Sequence, residues 1–395
     1  MWNRYGKCLT FIAYVSLVLL AAVYPALGQT QAKRVNLGLP VLGDGQLPPL
    51  VLRGEPEPVR NVILLVGDGT GIAQRTLTRI VMGGANNPLP SELMWEVGLA
   101  NTHSANALVT DSAAAATQLA TGHWTNNGMR SVTPEGERVK TILELASELG
   151  KATGLVATSE VTHATPAAFA AHETDRGDQT DVAVWMLKNR VDVLIGGGRS
   201  QFLPRSELGS RTDGRNILSE FEFAGWKVFD NMESVKKDSS PRILALISKA
   251  QLAYAEYRGD TLADMTEEAL KRLAQKPNGF FLMVEGSQID WACHDNIGRR
   301  MVHEAMEFED AVDVALDYAR KRDDTLVIVV ADHETGGLAI TGGSPDSTSV
   351  EIRWMRNYQY FNPRPCTRSD LSGRDSLSSA NRFQPTPLHE ERPLY

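Results

Sequence analysis

Five short runs of apolar residues recur along the chain between residues 61 and 334, and polar positions rarely interrupt them. Runs of this kind are typical of strands buried on both faces of a parallel sheet. Segments with helical character, such as TILELASELG and TLADMTEEALKRLAQK, lie between them. The alternation predicts an α/β fold, a three-layer α/β/α sandwich with a mostly parallel central sheet. The five runs are NVILLVGD, KATGLVATSE, VDVLIGGG, GFFLMVEGSQID and TLVIVVADHE.

Residues 1–28 form a separate block at the start of the chain. Arg4 and Lys7 come first, the apolar stretch CLTFIAYVSLVLLAAVY follows, and the small residues of PALG end the block. This order is typical of a secretory signal peptide, cleaved near Gly28, and predicts a periplasmic or secreted protein without a stable membrane span. The alternative is an uncleaved anchor, because the apolar stretch approaches the length of a spanning helix. Residues 29–58 are rich in proline and glycine and are predicted to be a linker.

Composition narrows the class of partner. The 395 residues carry a formal net charge of -8, and no run of lysine or arginine is available to neutralise a phosphate backbone. We therefore expect no nucleic-acid partner. The three cysteines, Cys8, Cys293 and Cys366, suggest neither a disulfide framework nor a cysteine-based metal site.

Acidic residues follow three of the five predicted strands. Asp68 ends the first run, Glu285 and Asp290 end the fourth, and Asp332 with His333 ends the fifth. In open α/β sheets, ligands bind at the carboxyl ends of the strands. Carboxylates gathered there would repel one another, and bound cations would relieve that repulsion. Any one of these acids could instead cap the following helix.

Two spacings within these runs suit metal ions. Asp290 and His294 are four residues apart, so on a helix they would share one face. Asp332 and His333 are adjacent, just past a strand. Aspartate and neutral histidine suit zinc, whereas carboxylate and hydroxyl oxygens suit magnesium. A single histidine is more often structural, so the argument depends on the cluster.

The segment VTDSAAAATQLATG, residues 109–122, places Ser112 before four alanines that favour a helix. Ser112 could simply be the N-cap of that helix. Near divalent cations it could also be a nucleophile in a phosphoryl transfer. Arg176, in AAHETDRGD, is a candidate for holding the phosphate, although an arginine in a polar loop is commonly solvated.

Five motifs, in this order, resemble those of the alkaline phosphatases: VILLVGDGTG, VTDSAAAATQLATG, THATPAAFAAHETDR, GFFLMVEGSQIDWACH and VIVVADHETGG. The resemblance covers about residues 58–354 and implies an alkaline-phosphatase-like catalytic domain at 59–354. It implies a phosphate monoester hydrolase that uses two Zn²⁺ ions, one Mg²⁺ ion and a phosphoserine intermediate. It also makes a homodimer an expectation.

The resemblance further implies a role for each matching residue. Ser112 would be the phosphorylated nucleophile, and Arg176 would bind the substrate phosphate. Asp332 and His333 would hold the zinc beside Ser112, and Asp290 with His294 would hold the other zinc. Magnesium would be bound by Asp68, which bridges to a zinc, together with Thr165 and Glu285. His163 and Trp291 would lie near the metals and could weaken the preference for magnesium relative to zinc or cobalt.

The chain departs from the family pattern after about residue 354. The family has a further zinc-binding histidine some 40 residues after the Asp-His pair, whereas the only downstream histidine here is His389. The sequence of residues 355–395 is rich in Arg, Ser, Pro and Asn. Either a frameshift or a genuinely divergent C-terminal tail would explain this composition. Three functions follow: a phosphomonoesterase, a sulfatase or phosphodiesterase on the same scaffold, or a secreted metal- or phosphate-binding protein with impaired turnover. The local motif around Ser112 favours the first over the second.

Overall fold

A central sheet of seven parallel strands organises the computed structural model, which describes residues 58–344 and 349–355 and the backbone of 381–383. The strand order is β4-β5-β3-β2-β6-β1-β7, so β1 lies between β6 and β7. The strands are β1 Asn61–Gly67, β2 Ala152–Glu160, β3 Val193–Gly197, β4 Lys227–Phe229, β5 Ile243–Leu246, β6 Phe280–Gly286 and β7 Thr325–Val330.

Helices cover both faces of this sheet. Alternate residues of β1 enter two separate hydrophobic clusters: Ile63 and Leu65 join one, and Val62, Leu64 and Val66 join the other. The predicted three-layer α/β/α sandwich is therefore confirmed. The helices are α1 Ile72–Gly83, α2 Ser112–Thr121, α3 Ile142–Glu148, α4 Ala164–Ala170, α5 Gln179–Lys188, α6 Arg199–Phe202, α7 Ile217–Phe223, α8 Met232–Lys237, α9 Leu262–Leu273, α10 Gln288–His294 and α11 Gly298–Arg320, with 3₁₀ turns at Pro90–Leu93 and Arg205–Glu207.

Each of the five apolar runs contains a strand of the sheet. In the fourth run, β6 ends at Gly286 and Asp290 lies on the following helix α10, which agrees with the helical spacing of Asp290 and His294. The fifth was expected to be buried on both faces, yet all six residues of β7 are only half-buried. The reason is position, since β7 ends the strand order of the seven-stranded sheet.

A second, smaller sheet of three antiparallel strands is separate from the central sheet. It contains β8 Ala339–Gly343, β9 Val350–Arg353 and β10 Asn381–Phe383, with β9 in the middle. The predicted signal peptide, nearly all of the predicted linker, and His389 lie outside the described residues. Within the described part of the chain, no helix combines the length and apolar character needed to cross a membrane.

Candidate active site

Four buried carboxylates converge where β1, β6 and β7 end. Asp68 directly follows β1, Glu285 is the last but one residue of β6, and Asp332 comes two residues after β7. Asp290 reaches the same place from α10, and all four side chains are nearly inaccessible to solvent. Ligand atoms of Asp68, Asp290 and His333 lie within 4.8 Å of one another. The structure thus brings the acids that follow the predicted strands together at one edge of the sheet.

Gly69 allows these carboxylates to approach so closely. Its φ of +69° lies in the left-handed region, and a Cβ there would stand 2.8 Å from Asp290 Cα. Its amide also donates to Asp332 Oδ1 at 3.0 Å. A side chain at this position would separate the carboxyl end of β1 from α10.

Ser112 is the first residue of α2, and the N-cap is Asp111. The Asp111 carboxylate accepts a hydrogen bond from the Ala114 amide at 3.0 Å, as an N-cap does. The possibility that Ser112 itself is the N-cap is therefore wrong. Because Asp111 satisfies the helix terminus, the Ser112 hydroxyl is free for other contacts.

The Ser112 hydroxyl points into the acidic cluster. Its Oγ lies 3.2 Å from His333 Nε2 and 3.5 Å from Asp68 Oδ1. His333 Nε2 in turn lies 3.1 Å from Asp332 Oδ2. A hydroxyl, an imidazole and two carboxylates thus meet at the start of a helix, where the backbone dipole favours an anion.

The pKa values of these groups reflect crowded negative charge in a buried place. The pKa of Asp68 is raised well above its usual range, mainly by burial and then by the charges of Asp332 and Asp290. Burial raises the pKa of Glu285 to about 7, although the hydrogen bond that the Ser287 hydroxyl donates partly offsets it. The pKa of His333 rises to about 9, because the attraction of Asp332 outweighs the effect of burial. Positive charge placed in the cluster would stabilise all of these carboxylates.

Several buried atoms of the site have no hydrogen-bond partner among the described residues. Buried polar atoms are normally paired, so a group of unpaired oxygens in one place needs another explanation. Oxygen and imidazole ligands suit divalent cations such as zinc and magnesium. The donor set therefore fits metal ions. These atoms are Asp68 Oδ2, Glu285 Oε1, Thr165 Oγ1 and His163 Nδ1, and Asp332 Oδ2 has only its ion contact with His333.

Asp290 and His294 lie on one face of α10, as their spacing predicts. His294 Nε2 stands 3.5 Å from Asp290 Oδ2, and the His294 side chain is 66% exposed. The other oxygen of Asp290 accepts a hydrogen bond from the Thr335 hydroxyl at 2.5 Å. The pair thus lies at the solvent-facing side of the cluster.

Arg176 lies in the loop between α4 and α5, and Asp111 holds it. Arg176 Nη1 donates to Asp111 Oδ2 at 2.8 Å, and about a third of the arginine side chain is exposed. Asp111 therefore links the helix that carries Ser112 to this arginine. The remaining guanidinium donors can meet an anion presented to Ser112.

His163 and Trp291 lie in contact. Their rings are edge-to-face with centroids 5.5 Å apart. Burial, followed by the charges of Arg176 and Arg130, lowers the pKa of His163 to about 3, so its ring is neutral. His163 also forms the N-cap residue of α4, two residues before Thr165.

Two participating residues were not found from the sequence. Asp111 could have been found, because an aspartate before an alanine-rich helix is a common N-cap. Thr335 lies in the motif VIVVADHETGG, but nothing in that motif indicated its contact with Asp290, which joins residues 45 positions apart.

Comparison with known proteins gives this geometry a family context. The family model for alkaline phosphatase matches residues 59–355. Alkaline phosphatase 4 of Bacillus subtilis (strain 168) is 41% identical over 297 residues, which are 71% of this chain and 63% of that protein. The chain thus spans less than two thirds of the length of that relative.

Solved structures agree with this relationship. The alkaline phosphatase of the Antarctic bacterium TAB5 shares 33% identity and superposes with a TM-score of 0.69, covering 75% of this chain and 87% of that one. A variant of the TAB5 enzyme, described with Mg bound in its M3 site, is 32% identical with a TM-score of 0.68 and the same coverage. With a matching family model, a relative above 40% identity and a solved family structure that superposes on this fold, this chain belongs to the alkaline phosphatase family.

Proposed function

We propose that this protein hydrolyses phosphate monoesters through a phosphoserine formed on Ser112. The observation that carries the proposal is the position of the Ser112 hydroxyl, 3.2 Å from His333 Nε2 and 3.5 Å from Asp68 Oδ1 within a buried acidic cluster. Family membership and the Arg176–Asp111 contact support it. The motif around Ser112 favours monoesters over sulfate esters or phosphodiesters as substrates.

We assign two Zn²⁺ ions and one Mg²⁺ ion to the site. Asp332, His333 and Ser112 would hold one zinc, and Asp290 with His294 would hold the other. Asp68, Thr165 and Glu285 would hold magnesium, with Asp68 also bridging to a zinc. When bound, such ions lower the pKa of a coordinated hydroxyl and neutralise developing charge on the ester oxygens.

The protein groups then carry out a two-step displacement. Arg176 binds two non-bridging oxygens of the phosphate and aligns the phosphorus with Ser112 Oγ. A bond forms from Ser112 Oγ to phosphorus as the bond to the ester oxygen breaks, and the alcohol leaves. Attack by water then cleaves the phosphoserine, which releases inorganic phosphate and restores the Ser112 hydroxyl. The N–H groups at the start of α2 stabilise the phosphoryl charge in both steps.

The experiment is a phosphoserine trap combined with an assay of p-nitrophenyl phosphate hydrolysis. Protein loaded with zinc and magnesium should release nitrophenol and, after an acid quench with labelled phosphate, carry label on Ser112. Ser112→Ala should lose both signals. Ser234→Ala is the matched control, because Ser234 lies in the first turn of α8 behind an asparagine N-cap. Label on another residue would contradict the role of Ser112.

A secreted metal- or phosphate-binding protein with impaired turnover is the second candidate. The observation in its favour is the 66% exposure of His294, which leaves the Asp290–His294 pair open to solvent. Stoichiometric zinc in the protein without labelled Ser112 or nitrophenol release would favour this candidate. Zinc together with turnover would exclude it.

The proposal also includes the metal preference, location and assembly expected from the sequence. His163 and Trp291 weaken magnesium relative to zinc or cobalt, which titration of each metal into chelated protein would test through activity. An unchanged preference for magnesium would contradict this. We further propose a periplasmic or secreted protein that forms a homodimer.

A further inference from the structure

Arg130 lies fully buried between the Arg176 loop and the segment that leads into α4. Its Nη2 donates to the carbonyl of Asp175 at 2.7 Å, and its Nη1 donates to the carbonyl of Thr162 at 3.4 Å. Asp175 immediately precedes Arg176 in the chain. A guanidinium presents its donors in a rigid plane, so it can fix the distance between two carbonyl groups.

The backbone around Arg130 reinforces this connection. Arg130 and Glu173 exchange both of their backbone hydrogen bonds, at 2.8 and 2.9 Å, and the Arg176 amide donates to the Gly128 carbonyl at 2.7 Å. The Gly128 amide donates to Asp111 Oδ2, the same oxygen that accepts from Arg176 Nη1. Segment 128–130 thus joins the start of the Ser112 helix to the loop of Arg176.

The Arg176 loop needs such support from outside. It runs between α4 and α5 and contains no helix or extended strand of its own. Its own hydrogen bonds are short-range turns, such as those that the Gly177 and Asp178 amides donate to Asp175, so bonds from neighbouring segments fix its position in the fold. A fully buried guanidinium is costly unless its donors are paired. Here one Nη group pairs with this loop and the other with the approach to α4, whereas Nε has no partner among the described residues.

We propose that Arg130 is a positioning residue for phosphate binding: it fixes the backbone at Asp175 and so orients Arg176 toward the phosphoryl oxygens. The inference rests on the proposed role of Arg176. It assigns no contact with substrate to Arg130 itself. A guanidinium is required because a single donor can reach only one of the two carbonyls.

The test compares Arg130→Gln and Arg130→Lys with the wild type, using metal-loaded protein and inorganic phosphate as the probe. Phosphate affinity is measured by inhibition of p-nitrophenyl phosphate hydrolysis and by the rise in melting temperature that phosphate produces. At pH 8 the native arginine is charged, since burial lowers its pKa only to about 10. Misplacing a binding group should weaken phosphate about 10-fold in Arg130→Gln and raise KM more than it lowers kcat. Arg130→Lys should also weaken phosphate binding, but less than Arg130→Gln does, because its longer side chain can still bring a donor to one of the two carbonyls.

Two controls separate positioning from general stability. Arg272 is also buried and donates to two carbonyls, of Val235 and Asp238, both at 2.7 Å. Arg272→Gln should lower the melting temperature without changing phosphate affinity. In an Arg176→Ala background, Arg130→Gln should cause no further loss of affinity.

An equal loss of affinity with and without Arg176 would overturn the proposal. So would unchanged phosphate affinity in both Arg130 variants. If Arg130→Gln does not fold, Arg130→Lys alone decides between these results. A wild-type protein that is stabilised by phosphate but shows no turnover would contradict the proposed hydrolysis only, because the thermal shift requires no reaction.

Discussion

Thr335 and Asp290 are joined by a hydrogen bond of 2.5 Å between Thr335 Oγ1 and Asp290 Oδ1. The same hydroxyl lies 3.2 Å from Nδ1 of His333. A hydroxyl can donate to a carboxylate and accept from a ring N–H at the same time. Thr335 therefore orients two of the proposed zinc ligands, one from α10 and one from the segment after β7.

Replacing Thr335 by valine should weaken zinc binding. The loss of an outer hydrogen bond to metal ligands typically lowers metal affinity about 10- to 100-fold. Thr335→Ser keeps the hydroxyl and should bind zinc nearly as the wild type does. Competition with a zinc chelator gives the affinities. Thr266→Val is the control, because the buried Thr266 hydroxyl donates to the Leu262 carbonyl of its own helix, α9, at 2.7 Å. Equal zinc affinity in Thr335→Val and Thr266→Val would contradict the role of Thr335.

Asp111 combines two tasks that one substitution can separate. Asparagine is as good an N-cap as aspartate, but its amide nitrogen cannot accept from the Gly128 amide as Asp111 Oδ2 does. Asp111→Asn should therefore lower the melting temperature of the protein less than Asp111→Ala does. It removes the charge that faces Arg176, and for this partly exposed pair we expect inorganic phosphate to bind about 5-fold more weakly. Asp111→Ala should in addition lose about 1 kcal/mol of stability through the missing cap. Phosphate inhibition and urea unfolding measure the two effects; loss of stability in Asp111→Asn equal to that in Asp111→Ala would contradict the separation.

The sequence located the acidic cluster because it depends on strand ends. A run such as NVILLVGD shows both the buried strand and the point where it delivers Asp68 to the edge of the sheet. The short strands β4 and β5, of three and four residues, were not predicted because so few residues carry no periodicity. The half-exposure of β7 was missed for another reason. Local pattern does not give the order of strands in a sheet.

Partners within the site were predictable only where chain proximity creates them. Asp290 and His294 could be paired because one helical turn separates them. The contacts of Thr335 and Arg130 join segments that only the tertiary fold brings together. Arg130 has no phosphate-binding pattern around it in the sequence, and the motif that contains Thr335 indicates metal ligands at Asp332 and His333 but not the contact with Asp290.

Gly69→Ala should destabilise the protein more than an alanine substitution at a glycine whose positive φ is the only obstacle. At Gly69 the positive φ is combined with atoms of Asp290 and Thr335 less than 3 Å from a Cβ. Gly214→Ala is the matched control, since φ there is +74° and nothing lies within 4 Å. Gly214→Ala should lower the free energy of unfolding by about 1–2 kcal/mol, which is the strain of a non-glycine residue in the left-handed region. Gly69→Ala should lower it further. Free energies of unfolding from urea titration give the comparison, and equal losses would show that close packing at Gly69 is unimportant.

The His172–Glu144 pair should make stability depend on pH. His172 Nε2 lies 2.9 Å from Glu144 Oε1, and its Nδ1 lies 2.8 Å from the Ser131 carbonyl. Burial opposes protonation of His172, but these two contacts outweigh it and raise the pKa above 6.5. The stabilisation is therefore complete below about pH 6.5 and is lost as pH rises through the higher pKa of the folded state. His172→Gln should lower the melting temperature more at pH 6 than at pH 9.

His303 provides a control of opposite sign for this pH effect. Burial lowers the pKa of His303, although its Nε2 lies 3.4 Å from Glu256 Oε1. The unfolded chain gains a proton at His303 more readily than the folded one, so this histidine costs stability below about pH 6.5. The melting temperature of His303→Gln, relative to that of the wild type, should therefore be higher at pH 6 than at pH 9. Melting curves of both variants at the two pH values test these opposite pH dependences. If His172→Gln lowers the melting temperature equally at pH 6 and pH 9, the His172–Glu144 contact makes no charge-dependent contribution to stability.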